Sequence, residues 1–145
     1  MLETYLKENN ATVTIETKLP KIICDQSRIG QVFQNLITNG IKYNDNTRKH
    51  IWINYKDTED FHLFSVKDNG IGIAKEHYEL IFKIFRRLHA KEEYGGGTGA
   101  GLTLTKKIIE RHDGNIWIES KLGKGTTFYF SISKNITSQV GHTWN

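Results

Sequence analysis

Three stretches of this chain carry apolar residues at helical spacing, and alternating, β-branched segments lie in pairs between them. Ile29, Val32, Phe33, Leu36, Ile37 and Ile41 fall on one face of a first helix. Tyr78, Ile81, Phe82 and Phe85 do the same over 75–88, and Leu102, Leu104, Ile108 and Ile109 over 102–112. The alternating runs are 12–18, 21–24, 51–55, 61–67, 115–120 and 126–132. The predicted order is β-β-α-β-β-α-loop-α-β-β. Each helix has one apolar face, so each needs an apolar partner surface, and strand pairs can supply it. The fold class expected is a two-layer α/β sandwich, a mixed sheet with three helices on one face. Asp25-Gln26-Ser27 offers capping chemistry for the first helix, and Tyr43-Asn44-Asp45-Asn46 ends it.

The 145 residues are enough for one domain with a core of its own. No apolar run reaches the roughly 20 residues of a membrane helix, and the N-terminus has no signal-peptide core. A cytoplasmic location is expected, with no direct membrane contact. The single cysteine, Cys24, sits in an apolar run and reads as a small buried hydrophobe. A formal charge of +4, with lysines spread along the chain, gives no nucleic-acid arm. A polyphosphate would need only a local cluster of cations.

Three constellations carry chemistry. Asp68-Asn69-Gly70-Ile71-Gly72-Ile73 follows a predicted strand. Its glycines permit a tight turn and close backbone approach, and its Asp can accept from an exocyclic amine. Gly95-Gly96-Gly97-Thr98-Gly99-Ala100-Gly101 leads into the third helix. Such a run is either a flexible linker or a set of free N–H groups for an anion. It lacks the Lys-Ser/Thr of a P-loop. On the first helix, Asn35, Asn39 and Lys42 share one face. An amide oxygen suits Mg²⁺, and a lysine suits phosphate.

These blocks, in this order, resemble the GHKL ATPases, and most closely the catalytic and ATP-binding domain (HATPase_c) of sensor histidine kinases. Gln31 to Asn44 resembles the N box, Asp68 to Ile73 the G1 box, Phe82 to Phe85 the F box, and Gly97 to Leu102 the G2 box. Gly123-Lys124-Gly125-Thr126-Thr127-Phe128 resembles the closing turn and strand. Phe85 to Tyr94 also resembles the phytochrome-type sensor kinases. The resemblance implies the Bergerat fold and binding of Mg-ATP.

It also implies roles. Asp68 would accept from the adenine amino group, with Gly70, Gly72 and Ile73 closing on the base and Tyr43 against it. Asn39 would hold Mg²⁺, Asn35 would lie near the metal, and Lys42 near phosphate; these three are the catalytic candidates. Residues 86–99 would be an ATP lid, with Phe85 at its root. Gly97, Thr98, Gly99, Ala100, Gly101 and Leu102 would meet the phosphates. Thr126 would support Asp68 directly or through a water. Tyr43 could instead cap a core helix, Thr126 could be an ordinary strand residue, and Arg86 and Arg87 read as a solvated face.

Two departures stand out. Asp113 occupies a position where the family has glycine; Asp tolerates left-handed backbone. The family's phosphoacceptor, a His followed by an acidic residue, is absent. His50, His62, His77, His89, His112 and His142 read as structural or solvated. The expected activity is therefore transfer of the γ-phosphoryl group of ATP to a histidine on a separate dimerisation segment, with a response regulator as indirect partner. The alternatives are a GHKL protein-serine kinase of the anti-sigma type and a non-catalytic nucleotide-binding module. The expected organisation is a linker remnant over 1–10, the ATP-binding domain over 11–134, and a tail over 135–145.

Overall fold

The computed structural model describes residues 2–82 and 100–135. Its elements are α1 (Leu2–Glu8), β1 (Ala11–Ile15), α2 (Gln26–Lys42), β2 (Lys49–Asp57), β3 (Phe61–Asp68), a 3-10 turn (Lys75–His77), α3 (Ala100–Arg111), β4 (Ile116–Lys121) and β5 (Gly125–Ser133). The five strands form one mixed sheet in the order β1-β2-β3-β5-β4. β1 pairs parallel with β2, and every other pair is antiparallel. Three helices cover one face, which is the α/β sandwich expected from the sequence and matches the Bergerat arrangement.

The core lies between helices and sheet. Val32, Leu36 and Ile41 of α2 meet Ile51, Val66, Phe128 and Phe130 of the strands, all buried. Alternation places Phe128, Phe130 and Ile132 inward, as the period-2 pattern of β5 requires. Asp25 caps α2 as its composition suggested: its carboxylate accepts from Arg28 N at 3.1 Å.

Two elements differ from expectation. Residues 21–24 form no strand. The segment follows Pro20 and climbs from the edge strand β1 to the start of α2. Its side chains alternate, with Ile23 exposed and Ile22 and Cys24 packed on the core, so it has a strand's pattern without a strand's partner. The helix predicted over 75–88 opens instead as a 3-10 turn, and only Ile81 and Phe82 of its described part are helical. The remainder lies outside the described residues. The first residues form a helix that the sequence did not advertise; Leu2, Tyr5 and Leu6 of α1 pack against the core. Asp113 takes φ 55°, the left-handed backbone anticipated for it.

His112 is fully buried and ties three elements together. Its Nδ1–H donates to Ile108 O at 2.8 Å, so Nε2 is the acceptor of the Asp25 N–H at 3.1 Å. Its carbonyl accepts from Ser133 N of β5 at 3.1 Å. Replacing it removes a ring from the core and strands a backbone donor at the head of α2. His112→Ala should lower unfolding free energy by about 3 kcal/mol, read from urea denaturation. A loss no larger than that of a surface substitution would contradict the bridging role.

Candidate functional site

Asp68 ends β3 in the middle of the sheet and is 6% exposed. One carboxylate oxygen, Oδ1, accepts from Gly70 N at 2.8 Å and from Thr126 N at 3.1 Å. The other, Oδ2, has no hydrogen-bond partner among the described residues. Asp68 lines a small cleft together with Asn39, Tyr43, Ile71, Gly72, Ile73, Thr126 and Phe128. Burial pushes the carboxyl up to about 6, against the two backbone N–H groups that pull it down.

The close packing around this carboxylate explains two glycines. A Cβ on Gly40 would stand 2.6 Å from Ile51 Cδ1 and 2.8 Å from Asp68 Cβ, so only glycine lets α2 lie against the end of β3. Gly72 has φ 78°, and a Cβ there would meet the Lys121 carbonyl oxygen at 2.1 Å. The turn is then held on both sides: Ile71 N donates to Tyr43 O at 3.0 Å, and Gly123 N donates to Ile71 O at 2.8 Å. Gly40 and Gly72 thus answer to the protein's own packing.

Asn39 lines the cleft from α2, and its side-chain amide has no protein partner among the described residues. Among those residues there is also no group of three or more His, Cys, Asp or Glu. The donor set fits a magnesium ion held by one amide oxygen, with phosphate and water completing the shell. Asn35 does not reach the cleft. Its Nδ2 donates to Thr105 Oγ1 at 3.2 Å and to Gly101 O at 3.4 Å, which fastens α2 to the first turn of α3. Lys42 is the last residue of α2 and is not among the lining residues. Tyr43 lines the cleft and also caps α2, its N–H bonded to Asn39 O at 3.1 Å.

Thr126 reaches Asp68 through its backbone N–H, while its hydroxyl bonds Ser120 Oγ at 2.7 Å. Gly101 and Leu102 lie in the first turn of α3, with the Leu102 side chain buried in the core. Ala100 is described only as a helical residue. Phe85, Gly97, Thr98, Gly99 and the lid expected over 86–99 lie outside the described residues.

Sequence reasoning missed Ile71, Phe128, Asn69 and Ser120. Phe128 was visible as an inward position two residues beyond Thr126. Asn69 gave no signal, yet its Oδ1 accepts from Asn44 Nδ2 at 2.8 Å and His50 N at 2.9 Å, locking the turn to the end of α2.

A model of the histidine kinase-, DNA gyrase B- and HSP90-like ATPases matches residues 24–136. Cyanobacterial phytochrome B of Nostoc sp. is 53% identical over 133 residues, 91% of this chain and 18% of that protein. Sensor histidine kinase WalK of Bacillus subtilis is 40% identical over 110 residues, 74% of this chain and 18% of that protein. This chain therefore spans less than a fifth of the length of these curated relatives. The solved catalytic domain of histidine kinase ThkA superimposes with a TM-score of 0.74 at 32% identity, covering 92% of this chain and 85% of that one. ThkA in complex with the response regulator protein TrrA gives a TM-score of 0.70 at 30% identity, covering 92% and 37%.

The raised Asp68 pKa fixes the sign of a stability effect. Between about pH 4 and 6 the folded protein holds a proton that the unfolded chain has released, so the contribution of Asp68 falls as pH rises through that window. Above it, the buried charge costs on the order of 3 kcal/mol. Asp68→Asn keeps an acceptor for Gly70 and Thr126 and removes the charge. The variant should be more stable than the parent at pH 8, and the gap should close toward pH 4. Thermal unfolding across that range checks this; a variant less stable at pH 8 would contradict it.

Proposed function

From the premise that this chain is a catalytic domain of the histidine-kinase type, a member of the histidine kinase-, DNA gyrase B- and HSP90-like ATPase family, we propose that it binds Mg·ATP in the cleft beside Asp68 and passes the γ-phosphoryl group to a histidine on a separate dimerisation segment. The observation that carries the reading is a buried carboxylate fixed at Oδ1, with no partner for Oδ2 among the described residues, on a residue that lines a cleft with one apolar wall. An exocyclic amino group on a flat base supplies the missing donor. Ile71, Ile73 and Phe128 supply apolar contact, and Tyr43 closes one side.

Asn39 would hold the magnesium ion, which neutralises phosphate charge when bound. Lys42, one turn further along α2, would add a positive charge at the mouth of the site. Asn35 would lie near the metal through Oδ1, while its Nδ2 keeps the helix that follows the glycine run against α2. Neither asparagine can act as a base, since an amide cannot abstract a proton. Catalysis would then rest on position and electrostatics, and the acceptor histidine would come with its own base. The response regulator carried by the ThkA complex suggests the same class of downstream partner.

Asp68→Asn should weaken ATP binding by about one to two decades, the worth of a charged hydrogen bond. Because Asp68 takes a proton below about pH 6, parent affinity should also drop from pH 7.5 to 5.5, with a step that the variant lacks. Calorimetric titration of both proteins reads this, and identical pH profiles would reject the assignment. Asn39→Ala should reduce the magnesium dependence of binding, and unchanged dependence would remove Asn39 from the metal. The transfer itself is tested by incubating the domain with labelled ATP and a histidine-bearing helical hairpin. An acid-labile phosphoryl product supports the reading, and an acid-stable one supports a serine kinase.

A further inference from the structure

Gly30 is an exposed glycine in the interior of α2, and no contact among the described residues accounts for it. Glycine is the poorest helix former after proline. At Gly40 and Gly72 the packing leaves no room for a Cβ, but a Cβ on Gly30 would meet nothing within 4 Å. A benefit that offsets the weaker helix has to be sought outside the chain, in a body that comes close to the backbone of α2.

The surroundings of Gly30 indicate what that body is. Gly30 lines a broad, open depression with Asp25, Gln26, Ser27, Gln31, Gln34 and Asn35. No lysine or arginine is among these residues, and the one carboxylate, that of Asp25, accepts from Arg28 N. A polyanion finds no counter-charge there. Neutral amides and a hydroxyl serve donors and acceptors alike, as the polar side chains of a protein surface require. Ile23, two residues before Asp25, is 84% exposed, the most exposed large apolar side chain among the described residues. An apolar anchor beside a polar, concave helix face fits an amphipathic helix of a protein partner.

The depression also continues the line of the cleft. Asn39, Asn35, Gln31 and Ser27 follow one another every fourth residue on one face of α2. Asn39 lines the cleft, while Asn35 lines the depression and bonds Gly101 O at the start of α3. With the base at Asp68 and Tyr43, the phosphates run from Asn39 toward Asn35 and the first turn of α3. A nucleophile that attacks the last phosphorus in line approaches from beyond Asn35, where the depression opens.

We propose that the N-terminal half of α2, with Gly30 at its centre and Ile23 at its margin, is the surface on which the helix carrying the acceptor histidine docks. The inference rests on the phosphoryl-transfer reading and deepens it, because it assigns the side from which the acceptor comes. Packed helices lie about 8–10 Å apart according to the side chains between them. A glycine at the contact allows the near end of that range and brings the imidazole toward the phosphate.

The test uses the whole chain, Mg·ATP and a histidine-bearing helical hairpin of a sensor histidine kinase as acceptor. Transfer is followed over a range of hairpin concentrations for the parent, Gly30→Ala, Gly30→Arg and Ile23→Ser, with ATP affinity read by calorimetry. The open space around Gly30 takes either new side chain, and both are better helix formers than glycine, so thermal stability should hold or rise. Gly30→Arg should raise the KM for the hairpin about tenfold, the effect of losing a central contact of an interface, with ATP affinity at the parent value. Gly30→Ala and Ile23→Ser should raise the KM less. An unmoved KM in Gly30→Arg overturns the proposal, and so does a fall in its ATP affinity, which would assign the surface to the nucleotide instead. A second measurement needs no variant. Titration of the isotope-labelled domain with the hairpin should shift the amides of Ser27, Gly30 and Gln34 and leave that of the exposed Trp117 still; shifts confined to other faces contradict the assignment. A parent that binds ATP and phosphorylates no hairpin brings down the transfer reading together with this one, whereas a parent that phosphorylates the hairpin with the KM unmoved in Gly30→Arg brings down this one alone.

Discussion

A single buried side chain, that of Asp68, joins three parts of this molecule. It accepts from Gly70 in the turn that leaves β3 and from Thr126 at the head of β5, while Gly40 lets α2 pack against the same residue. The arrangement leaves Oδ2 without a hydrogen-bond partner among the described residues. Burial raises the cost of the charge, and the two N–H groups offset part of it. A group held in this way is expensive for folding, and it is well placed to receive a donor from a ligand.

The turn after Asp68 shows how a site can be rigid without regular structure. Asn69 fastens it to Asn44 and His50, Ile71 to Tyr43 and Gly123, and Ile73 to Ser120. Most of these bonds are between backbone groups or from backbone to a short polar side chain. They are satisfied within the protein, so the turn keeps its form before anything binds. Preorganisation of this kind reduces the ordering cost of binding.

Much of the fold was legible in the sequence because periodicity reports which face is buried. The α2 stripe from Ile29 to Ile41 and the inward series Phe128, Phe130, Ile132 were readable for that reason. Residues 21–24 misled because alternation marks a half-buried extended chain, and such a chain needs a neighbouring strand that sequence does not reveal. The helix α1 was missed because seven residues give too little period to read. In the site, Asp68, Asn39, Tyr43, Gly72, Ile73 and Thr126 were named from motifs, and all line one cleft. Asn35 was placed near the metal; the bonds of its Nδ2 to Gly101 and Thr105 of α3 were not legible, because they join segments far apart in the chain. Ser120 went unnoticed because its hydroxyl meets Ile73, Gly125 and Thr126 through the fold, and no spacing in the sequence marks those contacts.

The central claim is that a ligand meets Asp68 at the oxygen that no described residue bonds. Amide chemical shifts report this directly, because the Gly70 and Thr126 N–H groups are bonded to the same carboxylate. Titration of the isotope-labelled domain with Mg·ATP should move those two amides together, in proportion to saturation, while Ile109 and Ile118 deeper in the fold stay still. If nucleotide binds and those two amides do not move, the cleft beside Asp68 is not where it binds.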